Sequence, residues 1–187
     1  MSIVLAISLG IALAAASGFR VFIPMLGVGV AALTGHLQLA TELAWIGSWP
    51  AVACFGVAAL VEVAAYYIPW LDNILDQAAL PLATAGGILL AAAVMAGELS
   101  PLLRWTLAVI AGGGAAAAVS GATSALRLAS TGLSGGLLNH VIATLENIIS
   151  VAITLLVIIS ALAGLALVVL AVALTLGIRR RMRPATG

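Results

Sequence analysis

Six apolar stretches, residues 3–16, 21–33, 51–68, 78–96, 107–122 and 148–178, follow one another along the chain with hardly a charge inside them. A backbone placed in hydrocarbon must satisfy its own hydrogen bonds, so runs of this kind fold as helices or closed barrels. The runs are continuous and alanine-rich, whereas barrel strands alternate over about ten residues, so helices are expected. A bilayer core about 30 Å thick takes roughly 20 helical residues to cross. The last run is long enough to cross and project beyond. The first two are short, are divided by Ser17-Gly18-Phe19-Arg20, and the second contains Pro24. They read as a broken or re-entrant helical pair.

Composition closes off the alternatives. The chain is 64% hydrophobic and 7% charged, where a soluble domain carries about 25% charged residues. A soluble enzyme, a nucleic-acid binder and a disordered chain are thereby excluded. The formal net charge of +1 selects no electrostatic partner. Arg179, Arg180, Arg181 and Arg183 form a basic tail, and basic residues flanking a span accumulate on the cytoplasmic side. The expectation is an all-α polytopic transmembrane bundle of about six spans in the cell inner membrane. It forms a single domain over residues 1–178, with a basic cytoplasmic tail over 179–187. Six crossings place both termini, and Arg104, on the cytoplasmic side. No Lys or Arg precedes Ala14-Ala15-Ala16-Ser17, so a signal peptide is not expected and the first apolar run reads as a retained span. Trp45, Trp49, Trp70 and Trp105 fall near span ends, the level that indoles favour. The lone Cys54 is expected in buried packing.

Two local patterns recur in the same order. Ala14-Ala15-Ala16-Ser17-Gly18 leads to Arg20, and Ala116-Ala117-Ala118-Val119-Ser120-Gly121 leads to Arg127. Later, Leu71-Asp72-Asn73-Ile74 is matched by Leu145-Glu146-Asn147-Ile148, each followed by a long apolar run. An internal pseudo-symmetric repeat with halves 1–97 and 101–178 is the reading. Interrupted helices at corresponding positions of transporter repeats point to the binding site. The glycines 112–114 and the alanines after them suit a close helix crossing.

Charges inside a membrane are costly and mark functional sites unless paired. Asp72 and Asp76, four residues apart, share one face of a helix. Two carboxylates that close repel unless a cation or proton lies between them. Glu146, with Asn73, Asn147, Asn139, Ser130 and Thr131, would supply further oxygen ligands to a small solute or cation. Against this stands a plain alternative, an acidic loop outside the membrane. Glu62 lies deep in an apolar run, as a proton relay or as a structural acid paired with Arg20 or Arg127. Arg20 and Arg127 follow the Ser-Gly breaks and would balance the carboxylates. The Gly-rich stretch 130–139 reads as a pore-lining loop or an exposed linker.

No enzyme signature is present: the chain has no paired histidine spacing for zinc, no phosphate loop and no nucleophile elbow. His36 and His140 stand apart. No catalytic residue, cofactor or metal is expected. The ordered set Ser17–Pro24, then Leu60-Val61-Glu62-Val63, Ile68-Pro69-Trp70-Leu71-Asp72 and Asp76, then Ser130-Thr131-Gly132, Asn139 and Glu146, resembles an uncharacterised family of bacterial integral membrane proteins carrying a domain of unknown function. The likeness runs from Gly10 to about Leu170. Against that family's pattern, Tyr66 and Tyr67 stand where an acid–base pair is common. Leu75 replaces an Asn, His140 a Pro and Asn147 an Asp. The resemblance implies the fold and the cluster of sites, and no activity.

Two functions fit these residues. One is passage of a small solute or ion through an acidic, polar intramembrane site. The other is a non-transporting scaffold or accessory subunit, packed as a homo-oligomer or against a membrane-protein partner through small-residue faces.

Overall fold

The computed structural model describes residues 3–95, 97 and 99–181, with side chains for all of these except 69, 70, 73 and 161–181. Arg183 and the side chains of Arg179, Arg180, Arg181, Trp70 and Asn73 therefore lie outside the described residues.

Every regular element among the described residues is helical. In chain order they are α1 (Ile3–Phe19), α2 (Phe22–Leu33), a 3₁₀ segment (Thr41–Gly47), α3 (Trp49–Ala65), α4 (Pro69–Val94), α5 (Pro101–Leu107), a π-helical turn (Ala108–Gly113), α6 (Gly114–Ser134) and α7 (Asn139–Arg181). Prolines mark several starts: Pro50, Pro69 and Pro101 occupy the first turns of α3, α4 and α5, where the missing N–H has no intrahelical partner to lose. Ser48 and Ser100 cap α3 and α5 by accepting the amides of Ala51 and Leu103.

Among the described residues, three helices are long and apolar enough to cross a membrane: 74–94 of α4, the continuous 101–134 helix and 139–160 of α7. A fourth is reached if the 3₁₀ segment and α3, bent by 61° at their junction, count as one span. The helices α1 and α2 fall short of that length. At about 1.5 Å per residue they span about 25 and 18 Å.

The two short helices form a hairpin. Gly10 lies beside Met95 and Gly86 beside Ser17, so α1 runs antiparallel to α4. Gly29 meets Val52 and Phe55 while Gly56 faces Leu26, so α2 returns in the opposite sense to α3. The hairpin tip is Arg20. Its level is set by Glu146, seven residues into α7, so the tip stops about 10 Å short of the α6–α7 turn. The sequence break at Ser17–Arg20 is thus a re-entrant geometry, closed inside the protein.

Small residues make the hairpin's packing possible. A Cβ built on Gly87 would stand 2.5 Å from the Ala116 Cβ, and one on Gly112 would stand 2.6 Å from the Ala91 Cβ. Helices α1, α4 and α6 therefore meet backbone to backbone around Ala14. The π-turn carries Gly112 and Gly113 into this crossing, while Gly114 faces open space. Such turns are rare and cluster at functional positions.

Two expectations are revised, and one open choice is decided. Ser130 and Thr131 are helical, because α6 continues to Ser134 and ends at Gly135 with φ +63°; the loop shrinks to residues 135–138. Of the two readings of Asp72 and Asp76 the helical one holds, since both sit in the first turns of α4. Cys54 is exposed, since the face of α3 that packs on α2 is the one bearing Val52 and Phe55.

Candidate functional site: a buried ion-pair layer between two cavities

The tip of the α1–α2 hairpin leaves backbone groups without helical partners inside the bundle, and side chains take them up. Arg20 donates from Nη1 to its neighbour Phe19 O at 2.7 Å. Glu62 reaches from the end of α3 and accepts the amides of Val21 (2.9 Å) and Phe22 (3.0 Å). A carboxylate bridging the first N–H groups of a helix is favoured by the hydrogen bonds and by the helix dipole together. Glu62 is therefore the cap of α2, a structural acid whose partners are backbone amides rather than an arginine side chain.

Arg20 is only 1% exposed, so its charge must be met from within. Nη1 pairs with Glu146 at 2.8 Å, Nε donates to Asn147 Oδ1 at 2.6 Å, and Nη2 donates to Ala143 O at 3.2 Å. Arg127, 3% exposed, donates from Nε to Glu146 Oε1 at 3.2 Å and also pairs with Glu146 Oε2, with Asp72 and, at 3.8 Å, with Asp76. Glu146 thus bridges both guanidinium groups. The Tyr66 ring completes the layer, with the Arg20 and Arg127 Cζ atoms 3.8 and 4.4 Å from its centroid. Both contacts fall in the cation–π range.

The pairing is partly crossed. Arg20, from the first pattern, binds the Glu-Asn pair of the second. Arg127, from the second pattern, binds the Asp of the first and also Glu146 of its own. The Ser120-Gly121 of the second pattern is no helix break, since α6 runs unbroken from Gly114 to Ser134.

Two guanidinium groups face three carboxylates here, leaving one surplus negative charge beside the α2 cap. Asp76 is the least committed acid, with its side chain 25% exposed. Among the described residues no group of three or more His, Cys, Asp or Glu is arranged to hold a metal ion. The guanidinium groups occupy the space between the carboxylates that the sequence pattern assigns to a cation.

A cavity of about 180 Å³ lies against Arg20, Glu62, Tyr66, Asp76, Arg127 and Glu146, and extends along α6 past Ser124 and Ser120. A second, of about 200 Å³, is lined by Tyr66, Asp72, Thr131, Asn139 and His140 together with the 135–137 turn. Order along α6 and α4 places the first cavity deeper in the bundle and the second toward the α6–α7 turn. Tyr66 lines both. The ion-pair layer is the partition between them.

The expected site residues therefore divide. Asp72, Asp76, Glu146, Asn147, Arg20 and Arg127 converge in the layer. Thr131 and Asn139 line the second cavity, while Ser130 is buried beside them with its hydroxyl lacking a described partner. Sequence reasoning misses Tyr66 as a site residue, although it follows Glu62 by one helical turn. It misses Tyr67 too. Thr144 already donates to His140 O at 2.8 Å, so the Tyr67 hydroxyl donates to Thr144 at 2.9 Å and ties the α3–α4 turn to α7.

One family model, that of a domain of unknown function (DUF4126), matches residues 7–181. No curated protein and no solved structure matches the chain.

Proposed function

The chain belongs to that family of unknown function, and from its site we propose that it is a membrane transporter or channel passing a small polar solute or cation. The observation that carries this reading is the pair of cavities meeting one buried ion-pair layer from its two sides. A partition made of ion pairs is movable: exchanging partners among Asp72, Asp76 and Glu146 shifts Arg127 without leaving it uncompensated. The surplus negative charge favours a cationic or hydrogen-bond-donating cargo, and Asp76 is the acid best placed to meet it. The partly crossed pairing supports an internal repeat. The helices carrying the two patterns, α1 and α6, run toward the same end of the bundle, so the repeat axis would lie along the membrane normal, as in parallel-repeat transporters. With the basic tail cytoplasmic, the site end faces outward and the protein is a multi-pass inner-membrane protein. We count the α1–α2 hairpin as a re-entrant pair which, with the four crossing segments, makes up the six apolar segments of the chain.

The test is flux of small cations and polar solutes into proteoliposomes. An Asp76→Asn variant, which keeps shape and leaves the Arg127–Asp72 pair, is expected to lose most of the flux. Equal flux in variant and parent, for every solute carried, would overturn the proposal.

A second reading rests on a different observation. Gly114, Ala118, Gly121, Ala125 and Gly132 form an exposed small-residue stripe on α6, whereas the glycines of α1 and α4 are consumed internally. An accessory subunit would use that stripe against a membrane-protein partner or a second copy. It predicts a stable complex on gentle extraction that leucine at Gly121 disrupts while flux is absent.

A further inference from the structure

The two tyrosines that follow one another at the end of α3 are held in different ways. Tyr67 is exposed, and its hydroxyl is spent on Thr144 of α7, which fixes the α3–α4 turn. Tyr66, the C-terminal cap residue of α3, is 7% exposed, and its hydroxyl has no hydrogen-bond partner among the described residues. Buried tyrosines ordinarily commit that hydroxyl. The polar contacts that hold this ring are the two cation–π contacts with Arg20 and Arg127, at 3.8 and 4.4 Å.

The ring stands at a particular place. Arg20, Asp76 and Arg127 border the first cavity and not the second, while Asp72, Thr131 and His140 border the second and not the first. Among the described residues Tyr66 alone belongs to both walls. The rest of the partition there is the Arg127–Asp72 pair, with one partner on each wall. The two parts differ in what it costs to open them. Parting Arg127 from Asp72 strands buried charge, which is among the larger penalties in a protein interior. Turning the ring loses two weaker cation–π contacts and breaks no hydrogen bond. Open space adjoins it on both sides, about 180 Å³ on one and about 200 Å³ on the other.

We propose that the Tyr66 side chain is the door between the two cavities, an aromatic plug that closes the polar path at rest and opens it by turning about its own side-chain bonds. The inference rests on the transport reading for its purpose and names the part that moves first. The ion pairs are the frame of this door, and partner exchange by Arg127 widens an opening that the ring begins. Closure depends on the bulk of the ring and its stacking, and the hydroxyl contributes nothing to it.

The experiment reads whether a thiol in the first cavity is reached from the second. In the full chain carrying Cys54→Ser, Ser124→Cys puts that thiol on the wall of the first cavity. The probe is trimethylammonioethyl methanethiosulfonate, small and membrane-impermeant. It is added to sealed vesicles on the side from which Leu137→Cys, in the turn that lines the second cavity, is labelled. With Tyr66 in place, labelling of Ser124→Cys is expected to be slow. Tyr66→Ala is expected to speed it at least about tenfold, the closed-to-open ratio that two cation–π contacts sustain. Tyr66→Phe keeps a ring that stacks and is expected to label as slowly as the parent. Tyr66→Leu, which also lacks the ring, takes the place of Tyr66→Ala if that protein does not elute as a single folded species. Gly87→Ala, strained at a helix crossing outside the partition, controls for general loosening and is expected to stay slow. Labelling of the parent at the Leu137→Cys rate overturns the inference, as does a folded Tyr66→Ala protein labelled no faster than the parent. Rapid labelling in Tyr66→Phe or Gly87→Ala overturns it too, since the ring would then not be what closes the path. If labelling follows the ring while no solute enters proteoliposomes, the transport reading fails and the door stands. If the parent carries solute while Tyr66→Ala labels no faster, the door alone fails.

Discussion

Neutralising Glu146 is the perturbation that most directly tests the ion-pair layer. In Glu146→Gln the side chain keeps its size and one acceptor oxygen, but the charge shared by Arg20 and Arg127 is gone. Glu146 accepts three guanidinium N–H bonds, one from Arg20 and two from Arg127. Hydrogen bonds to charged groups contribute about 1.5–3 kcal/mol each, so three set an upper limit near 5–9 kcal/mol. Arg127 keeps Asp72 and Asp76, and the glutamine oxygen retains one bond. The net loss then falls at about 3–5 kcal/mol, the usual cost of breaking a buried pair by removing one partner. At about 2–4 °C per kcal/mol for a chain of this size, the melting temperature in detergent is expected to fall by about 6–20 °C. The diagnostic variant is the double change Arg20→Gln/Glu146→Gln. Removing both partners removes the uncompensated charge, so the double variant is expected to be at least about 1 kcal/mol more stable than the sum of the singles. Fluorescence-monitored unfolding of the four proteins closes the cycle. A single variant that melts with the parent, or strictly additive losses, would refute the layer as drawn.

Glu62→Gln should weaken the cap of α2 by about 1–2 kcal/mol, seen as faster hydrogen exchange confined to the amides of Val21 and Phe22 and their neighbours. Gly87→Ala forces a Cβ to within 2.5 Å of Ala116 and should cost about 1–3 kcal/mol of stability by overpacking. Gly121→Ala meets nothing within 4 Å and should be neutral or slightly stabilising, so equal melting of the two variants would contradict the crossing. In a Cys54→Ser background, Leu137→Cys and His36→Cys occupy opposite ends of the bundle. A membrane-impermeant maleimide added to sealed vesicles should label one and spare the other; labelling of both from the same side would overturn the topology.

Much of this architecture is legible in the chain itself, and particular residues show why. Scarcity of charge points to Arg20, Asp72, Arg127 and Glu146, because an ionised group inside an apolar run has to find a partner or a role. Ser17-Gly18 followed by arginine, together with Pro24, locates the hairpin. The identity of the partners is not legible. Glu62 and Arg20 are 42 positions apart in the chain, and only the hairpin's close approach to α3 decides that the carboxylate takes backbone amides. Ser130–Gly132 misleads because glycine and hydroxyl residues weaken a helix in isolation. Here Thr131 and Ser134 return their hydroxyls to carbonyls one turn back and keep the helix running to Gly135. Tyr66 is invisible as a site residue because an aromatic near a span end has a ready explanation as an interface anchor.

The helix break also separates what is structural from what is left over for chemistry. A chain that turns inside the bilayer must satisfy backbone groups that water would otherwise serve. Arg20 and Glu62 do this at the tip, and a buried Arg20 in turn requires Glu146 and Asn147. Arg127 shares Glu146 with Arg20, and Asp72 balances it. None of these five charged groups is free to act without unsettling the hairpin. Asp76 remains, with its side chain 25% exposed at the edge of the first cavity, and it is not required by the turn. On the proposed transport reading it is the acid that can meet a cationic or donor-rich ligand without unsettling the hairpin, whichever way the solute moves.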